Sequence, residues 1–189
     1  MVNVENLKEL KESLQGLIKN LDKNIDSLYT LATRDEKTGL YNNRFFENIL
    51  DMEFEKAKRK KQKLSLIIVD IDFFKKINDA HGHLQADKLL KQLAKVIQKT
   101  VRRSDIPARF GGEEIFILLP ETPLERAKKV GVRLKNAIHK DKILKKYNLT
   151  VSGGITQFKL KDSKQNFKSR ADKALYKAKN SGRNRFEVI

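Results

Sequence analysis

The sequence predicts an α/β sandwich, with a mainly antiparallel central sheet, flanking helices and one long helix at the N-terminus. Three features point to it. Helical and strand-like stretches alternate along most of the chain. An unbroken apolar run at 64–70 (LSLIIVD) has the character of a central strand buried on both faces. Two glycines at 111 and 112 separate two further strand-like stretches, as in a tight hairpin.

In chain order, residues 4–32 carry a helical pattern interrupted only by Gly16. Val4, Ile18 and Ile25 occupy one heptad position, with Lys11 as its polar exception; Leu7, Leu14, Leu21 and Leu28 occupy a second, three residues later. Leu10, Leu17 and Leu31 add a third row. β-Branched residues at a and leucine at d favour a parallel two-stranded coiled coil; the alternative is one amphipathic helix packed on its own domain. The texture changes after ATRDEKTGLYNNR, which divides the chain into an N-terminal helix at 1–33 and a domain at 34–189. Residues 43–62 read as a helix and 64–70 as the central strand. Residues 73–80 and 86–101 read as helices, and 108–110 with 114–119 as the hairpin. A helix at 123–138, a strand at 149–156 containing Gly153 and Gly154, a helix at 167–180 and a short strand at 185–188 complete the domain.

A chain of 189 residues holds one domain, or one domain with an extension, and its 39% hydrophobic content supports a packed core. Without cysteine it has neither disulfides nor thiolate metal ligands, which fits a reducing, cytoplasmic setting. No apolar run reaches the roughly 18 residues of a membrane span, and the N-terminus lacks a signal-peptide apolar core. The net charge of +17, from 41 basic and 24 acidic residues, has two readings: a lysine-rich solvated surface, or a polyanionic partner such as nucleotide phosphates or nucleic acid. No helix-turn-helix, zinc-finger or stacked-aromatic pattern favours nucleic acid.

The chemistry concentrates in acidic residues where a core is expected. Asp70 and Asp72 follow the buried strand two apart, so in extended chain they share a face. Glu113 and Glu114 sit at the root of the apolar strand IFILL. If the hairpin lies beside the central strand, these carboxylates meet, and clustered carboxylates are costly to bury without a cation. An oxygen-only donor set suits Mg2+, which binds alongside substrate phosphates and supports in-line phosphoryl transfer from a nucleoside triphosphate. The competing reading is a solvated acidic turn.

Five ordered blocks carry a family resemblance: DEKTGLYNNR (35–44), DIDFFKKINDAHGH (70–83), GGEEI (111–115), VSGGIT (151–156) and ADKALYKAKNSGRN (171–184). From about Asp35 to Phe186 the chain resembles the GGDEF-domain diguanylate cyclases, which join two GTP into cyclic di-GMP. The resemblance implies a palm-like fold with a ferredoxin-like core. It implies that Asp70, the carbonyl of Ile71, Glu113 and Glu114 hold Mg2+, with Mn2+ as the other ion. Glu113 is then also the base for the 3′-hydroxyl, and Lys75 stabilises charge on the phosphates. Asn78 and Asp87 read guanine, since a carboxylate accepts from N1–H and N2–H, which adenine lacks; His83 sits beside the nucleotide. Lys179 and Arg183 clamp the triphosphate, and Gly111 and Gly112 let backbone approach it. Each has a plainer alternative: Asn78 as a helix cap, His83 as a turn residue, Lys179 and Arg183 as surface charges.

The chain departs from the family pattern at Lys37 and Asn43, where Leu and Arg are usual, at Ala86 in place of Gly, and at Ile115 in place of Phe. Ala86 is placed to crowd the guanine pocket. Arg102 and Asp105, in an Arg-x-x-Asp five residues before the glycines, match the family's inhibitory product site. The resemblance further implies a homodimer, with cyclic di-GMP as product and inhibitor. A catalytically silent cyclic di-GMP receptor is the alternative function.

Overall fold

The computed structural model describes residues 4–189, with side chains described at Lys8 and from Leu10 onward; the heptad positions Val4 and Leu7 fall outside the described side chains. Helix α1 spans Val4–Thr33. The rest alternates as β1 (Tyr41–Asn42), α2 (Asn43–Lys60), β2 (Leu64–Ile71), α3 (Phe74–His81), α4 (His83–Thr100), β3 (Ile106–Gly111), β4 (Glu114–Pro120), α5 (Leu124–Lys140), α6 (Lys142–Lys146), β5 (Val151–Gln157), α7 (Lys164–Asn180) and β6 (Phe186–Val188). The strands form one sheet in the order β1-β3-β4-β2-β5-β6. Its four central strands are antiparallel neighbours, and the two edge strands pair in parallel. The inner order, with helices between β2 and β3 and between β4 and β5, is that of a ferredoxin-like βαββαβ core.

Strand β2 is buried at every position, as its unbroken apolar run predicts. Alternate residues serve two cores. Ile67, Val69 and Ile71 face α4 and α5 through Leu89, Leu93, Val130 and Leu134. Leu66 and Ile68 face α2 and α7 through Phe46, Leu50, Phe167 and Leu175. The result is three layers, helix on sheet on helix, and β2 is the strand that both outer layers need.

The glycine pair in β5 is explained by close approach. A Cβ at Gly154 would lie 2.0 Å from the carbonyl oxygen of Ala171 and 2.3 Å from the amide of Leu175, so α7 lies directly on the strand backbone. A Cβ at Gly153 would strike the ring of Phe186. Glycine here permits the packing that brings α7, with Lys179, over the end of β2.

Boundaries differ from the sequence reading for local reasons. Helix α4 begins at His83, because Gly82 (φ 77) turns the chain once and nothing after it delays the next helix. Helix α7 begins at Lys164 because the Ser163 side chain accepts from the Asn166 amide and caps it. Strand β3 begins at Ile106, with Pro107 paired to Ile117. Strand β1 and helix α6 were not anticipated. The first is two residues long; the second is one turn held by Asp141, whose carboxylate accepts from the amides of Ile143 and Leu144. Among the described residues no helix is long and apolar enough to cross a membrane.

Candidate active site

Strands β2 and β4 run antiparallel with Asp70 opposite Glu114, and β2 with β5 places Asp70 opposite Ser152. Register therefore brings together carboxylates 44 residues apart in sequence, on the face covered by α7. Asp70 is only 6% exposed, and Lys179 of α7 places its Nζ 2.9 Å from the Asp70 Oδ2. Burial pushes the Asp70 carboxyl above the ordinary aspartate range; Lys179 opposes the rise, while the charges of Glu113 and Asp72 add to it. Burial likewise raises Glu114, followed by repulsion from Asp70, with Lys179 again opposing. Glu113 is half-buried in the turn beside them.

Asp72, although it follows Asp70 by two, does a different job. Its carboxylate accepts from the Thr150 and Ser152 hydroxyls, both at 2.7 Å, and from the Asn184 amide at 3.0 Å. These three donors use it as a pin between the end of β2 and the loop after α7. That loop holds Arg183 and Asn184 at positive φ (60 and 48). The Arg183 guanidinium lies 4.4 Å over the exposed ring of Phe73, itself at φ 56. Phe73 thus helps set where a triphosphate clamp on Arg183 would stand. Sequence reasoning missed it.

The hairpin joining β3 and β4 turns at Gly112 (φ 50) and Glu113. Nothing within 4 Å would meet a Cβ at Gly111 or Gly112, so their backbone faces open space that a ligand can enter. Arg109 fixes the turn. Its Nε and Nη2 donate to the Gly112 carbonyl at 2.9 and 2.8 Å, and its Nη1 reaches the Asp35 carboxylate at 3.2 and 3.3 Å. Asp35 also accepts from the amide and hydroxyl of Thr38. The leading block of the motif series is therefore a clamp on the signature hairpin, which the sequence alone did not reveal.

The base-reading candidates gather at the junction of α3 and α4. Asn78 on α3 donates from Nδ2 to the Phe74 carbonyl at 3.3 Å, and its Oδ1 lies 3.0 Å from the His83 Nδ1. Asn78 is thus no N-cap; it and His83 form a pair at the mouth between the helices. Asp87, one turn into α4, accepts from the Lys37 Nζ at 2.8 Å. Ala86 is 1% exposed, with its methyl on the buried face of α4. Lys75 is exposed on the first turn of α3 and, among the described residues, makes no ion pair.

Arg102 and Asp105 lie away from this cluster, in the turn between α4 and β3. Asp105 is buried and accepts from the Arg102 amide at 2.8 Å; burial raises its carboxyl, and the Arg102 amide and charge oppose that. The Arg102 side chain is exposed beside a cleft that Ser104, Glu121 and Arg126 also line.

Among the described residues, no three acidic, histidine or cysteine groups converge closely enough to enclose a metal ion. At Asp70 the position is taken by the Lys179 ammonium. The donor set nevertheless suits a hard divalent cation: buried Asp70 and half-buried Glu114, both held above their ordinary range, Glu113 beside them, no nitrogen or sulfur ligand, and the backbone carbonyl of Ile71 at the strand end. An ion here would replace Lys179 on Asp70.

Residues 32–185 match a family model described as the diguanylate cyclase GGDEF domain. The chain is 37% identical over 185 residues to diguanylate cyclase A of Treponema denticola, covering 88% of this chain and 50% of the relative. It is 38% identical over 185 residues to the diguanylate cyclase DgcP of Pseudomonas aeruginosa, covering 96% and 28%. The chain thus spans half or less of the length of these relatives. A crystal structure of the coiled coil and GGDEF domain of DgcB from Caulobacter crescentus, in complex with c-di-GMP, superposes with a TM-score of 0.80 at 27% identity, covering 97% of this chain and 99% of that one.

The raised Glu114 carboxyl has a consequence for stability. A group that binds its proton more tightly when folded stabilises the fold fully below its unfolded pKa and loses that contribution as pH rises through the folded value. In chelator, Glu114→Gln should therefore raise the Tm at about pH 7 and lose this advantage towards about pH 3, where both proteins are neutral at that position. Thermal unfolding at the two pH values checks it; a lowered Tm at neutral pH would contradict the repulsion.

Proposed function

We propose, for a chain that belongs to the GGDEF-domain family of diguanylate cyclases, that it condenses two GTP into cyclic di-GMP and two pyrophosphates, as a two-fold dimer. The observation that carries this is buried Asp70 paired in register with half-buried Glu114, with Lys179 against Asp70, beside the open backbone of Gly111 and Gly112.

Each half-site holds one GTP. Asp87 and Asn78 bind the guanine edge, with His83 beside it. Lys75, Lys179 and Arg183 neutralise the triphosphate, and the hairpin amides approach it. Glu113 takes the proton of the 3′-hydroxyl. That oxygen then attacks the α-phosphorus of the GTP in the facing half-site, and the bond to the β-phosphate bridging oxygen breaks as pyrophosphate leaves. The same step in the other half closes the ring. Bound at Asp70, Ile71, Glu113 and Glu114, Mg2+ or Mn2+ would supply Lewis acidity to the α-phosphate and lower the pKa of the attacking hydroxyl. Lys179 releases Asp70 and turns to the phosphates. The substrate pool places this activity in the cytoplasm.

A single half-site cannot complete the ring, so two domains must face each other. From Leu10 onward the leucines and isoleucines of α1 are at least half exposed, from Leu14 at 50% to Leu28 at 66%, so this part of the helix does not bury its apolar row on its own domain. We assign residues 1–33 to a parallel coiled coil and 34–189 to the catalytic domain. The likeness along nearly the whole chain to a solved coiled coil with a GGDEF domain supports this division. Arg102 and Asp105 are assigned to an inhibitory site for the product, where Arg102 would stack on guanine and fork a phosphate.

Three measurements test the reading. With GTP and Mg2+, Glu113→Gln should fold and lose at least about a hundredfold in cyclic di-GMP formation by mass analysis. Near-normal turnover would remove Glu113 from its role, and a wild type that binds cyclic di-GMP but makes none would be a receptor. A truncated protein spanning 34–189 should be mainly monomeric at micromolar concentration, with specific activity that rises with concentration, while the full chain's stays nearly flat. A full chain that sediments as a monomer would refute the coil. Finally, Arg102→Ala should keep the initial rate and raise the plateau of product; equal inhibition in both proteins would release Arg102 from the site.

A further inference from the structure

We infer that Lys37 reads the base: its ammonium, held on Asp87, donates to O6 of the guanine that Asp87 binds. The inference rests on Asp87 being the guanine-binding carboxylate. Lys37 stands where the family pattern has a leucine, which cannot donate a hydrogen bond.

The turn that carries Lys37 is rigid. Its backbone closes through Gly39 N–H to the Asp35 carbonyl at 2.8 Å and Asp35 N–H to the Leu40 carbonyl at 2.9 Å. The Asp35 carboxylate takes the Thr38 amide and hydroxyl, and Leu40 is fully buried. Through Arg109 the same turn is tied to the hairpin at Gly112. Lys37 therefore springs from backbone held in a fixed relation to both the phosphate end and the base end of the site.

From there its Nζ lies 2.8 Å from Oδ2 of Asp87, and Oδ1 makes no hydrogen bond among the described residues. The two side chains are 54% and 39% exposed, so the pair contributes little to folding, and a ligand can reach it. Ammonium and carboxylate together present a donor followed by two acceptors. The Watson–Crick edge of guanine presents the complement: the O6 acceptor, then the N1–H and N2–H donors. Lysine to guanine O6 is an established pairing. Adenine offers a donor where Lys37 donates and an acceptor where Asp87 accepts, so the pair rejects it twice. Bound guanine leaves Lys37 its contact with Asp87 and adds a second acceptor.

The test is calorimetric binding of GDP and 6-thio-GDP, neither of which can undergo the condensation, to the protein of residues 1–189. The thio analogue keeps N1–H and N2–H but offers a weak acceptor at position 6. The wild type and Lys37→Arg, which keeps a donor, should prefer GDP. In Lys37→Leu, GDP affinity should fall about fivefold while 6-thio-GDP affinity moves little, so the preference collapses. Lys37→Met serves if leucine disturbs the turn, as judged by Tm. An unchanged GDP preference in Lys37→Leu overturns the inference. So does tighter GDP binding, which would make Lys37 a competitor for Asp87 rather than a reader. The underlying assignment fails separately: if Asp87→Asn binds GDP as the wild type does, the base is not read at Asp87 at all.

Discussion

Buried Asp70 stands opposite half-buried Glu114 at the end of a ladder, and burial, reinforced by neighbouring carboxylate charge, holds both carboxyls above their ordinary range. Neither can escape: β2 is covered on both faces and sets the register of β4. Their charge has to be met from outside the sheet, and Lys179 meets it. Lys179 reaches Asp70 only because α7 lies on the backbone of β5, and α7 lies there only because residue 154 has no side chain. Among the described residues no buried side-chain polar atom lacks a partner, so the tension at this point is one of charge, not of missing hydrogen bonds. Such a pair costs the fold stability that Lys179 only partly restores.

Much of this was legible in the sequence. The continuous apolar run gave β2 because a strand buried on both faces has no polar alternation to hide it. The Gly-Gly-Glu-Glu stretch gave the hairpin, and the idea that Glu114 would meet Asp70 needed only that the hairpin lie beside β2. Short elements escaped: a two-residue strand has no period, and the single turn of α6 is announced only by its Asp141 cap. Roles that depend on contacts between distant segments were invisible. Asp72 reads as a twin of Asp70, yet it holds Thr150, Ser152 and Asn184, which lie 78 or more residues away. Asp35 and Arg109 are 74 residues apart, and nothing local says that one orients the other on Gly112.

The same limit applies to the charge of the chain. A net +17 suggests a polyanion, but the basic residues that matter are few and specifically held. Lys179 sits on Asp70, Arg183 over Phe73 and Lys37 on Asp87. Others, such as Lys128 with Glu125 or Lys164 with Asp51, form exposed pairs of small energetic value. On the proposed reading, bulk charge would draw an anionic nucleotide towards the surface, and a handful of contacts would decide how it sits.

The junction after α1 leaves no slack. The Asn42 amide donates to the carbonyls of Ala32 and Arg34 while its oxygen caps α2, and the Arg34 guanidinium lies 3.7 Å over the Tyr41 ring. Asp35 follows at once, gripping Arg109 and through it the hairpin carbonyl. A helix of 30 residues is about 45 Å long. Fastened in this way, it is a lever arm with no glycine or proline between Gly16 and Gly39, joined through Asp35 and Arg109 to the hairpin turn. The soft point lies in the shaft, at Gly16, where a helix gives most readily. Its mechanics are those of a torsion bar: stiff where it joins the machine, compliant partway along its length.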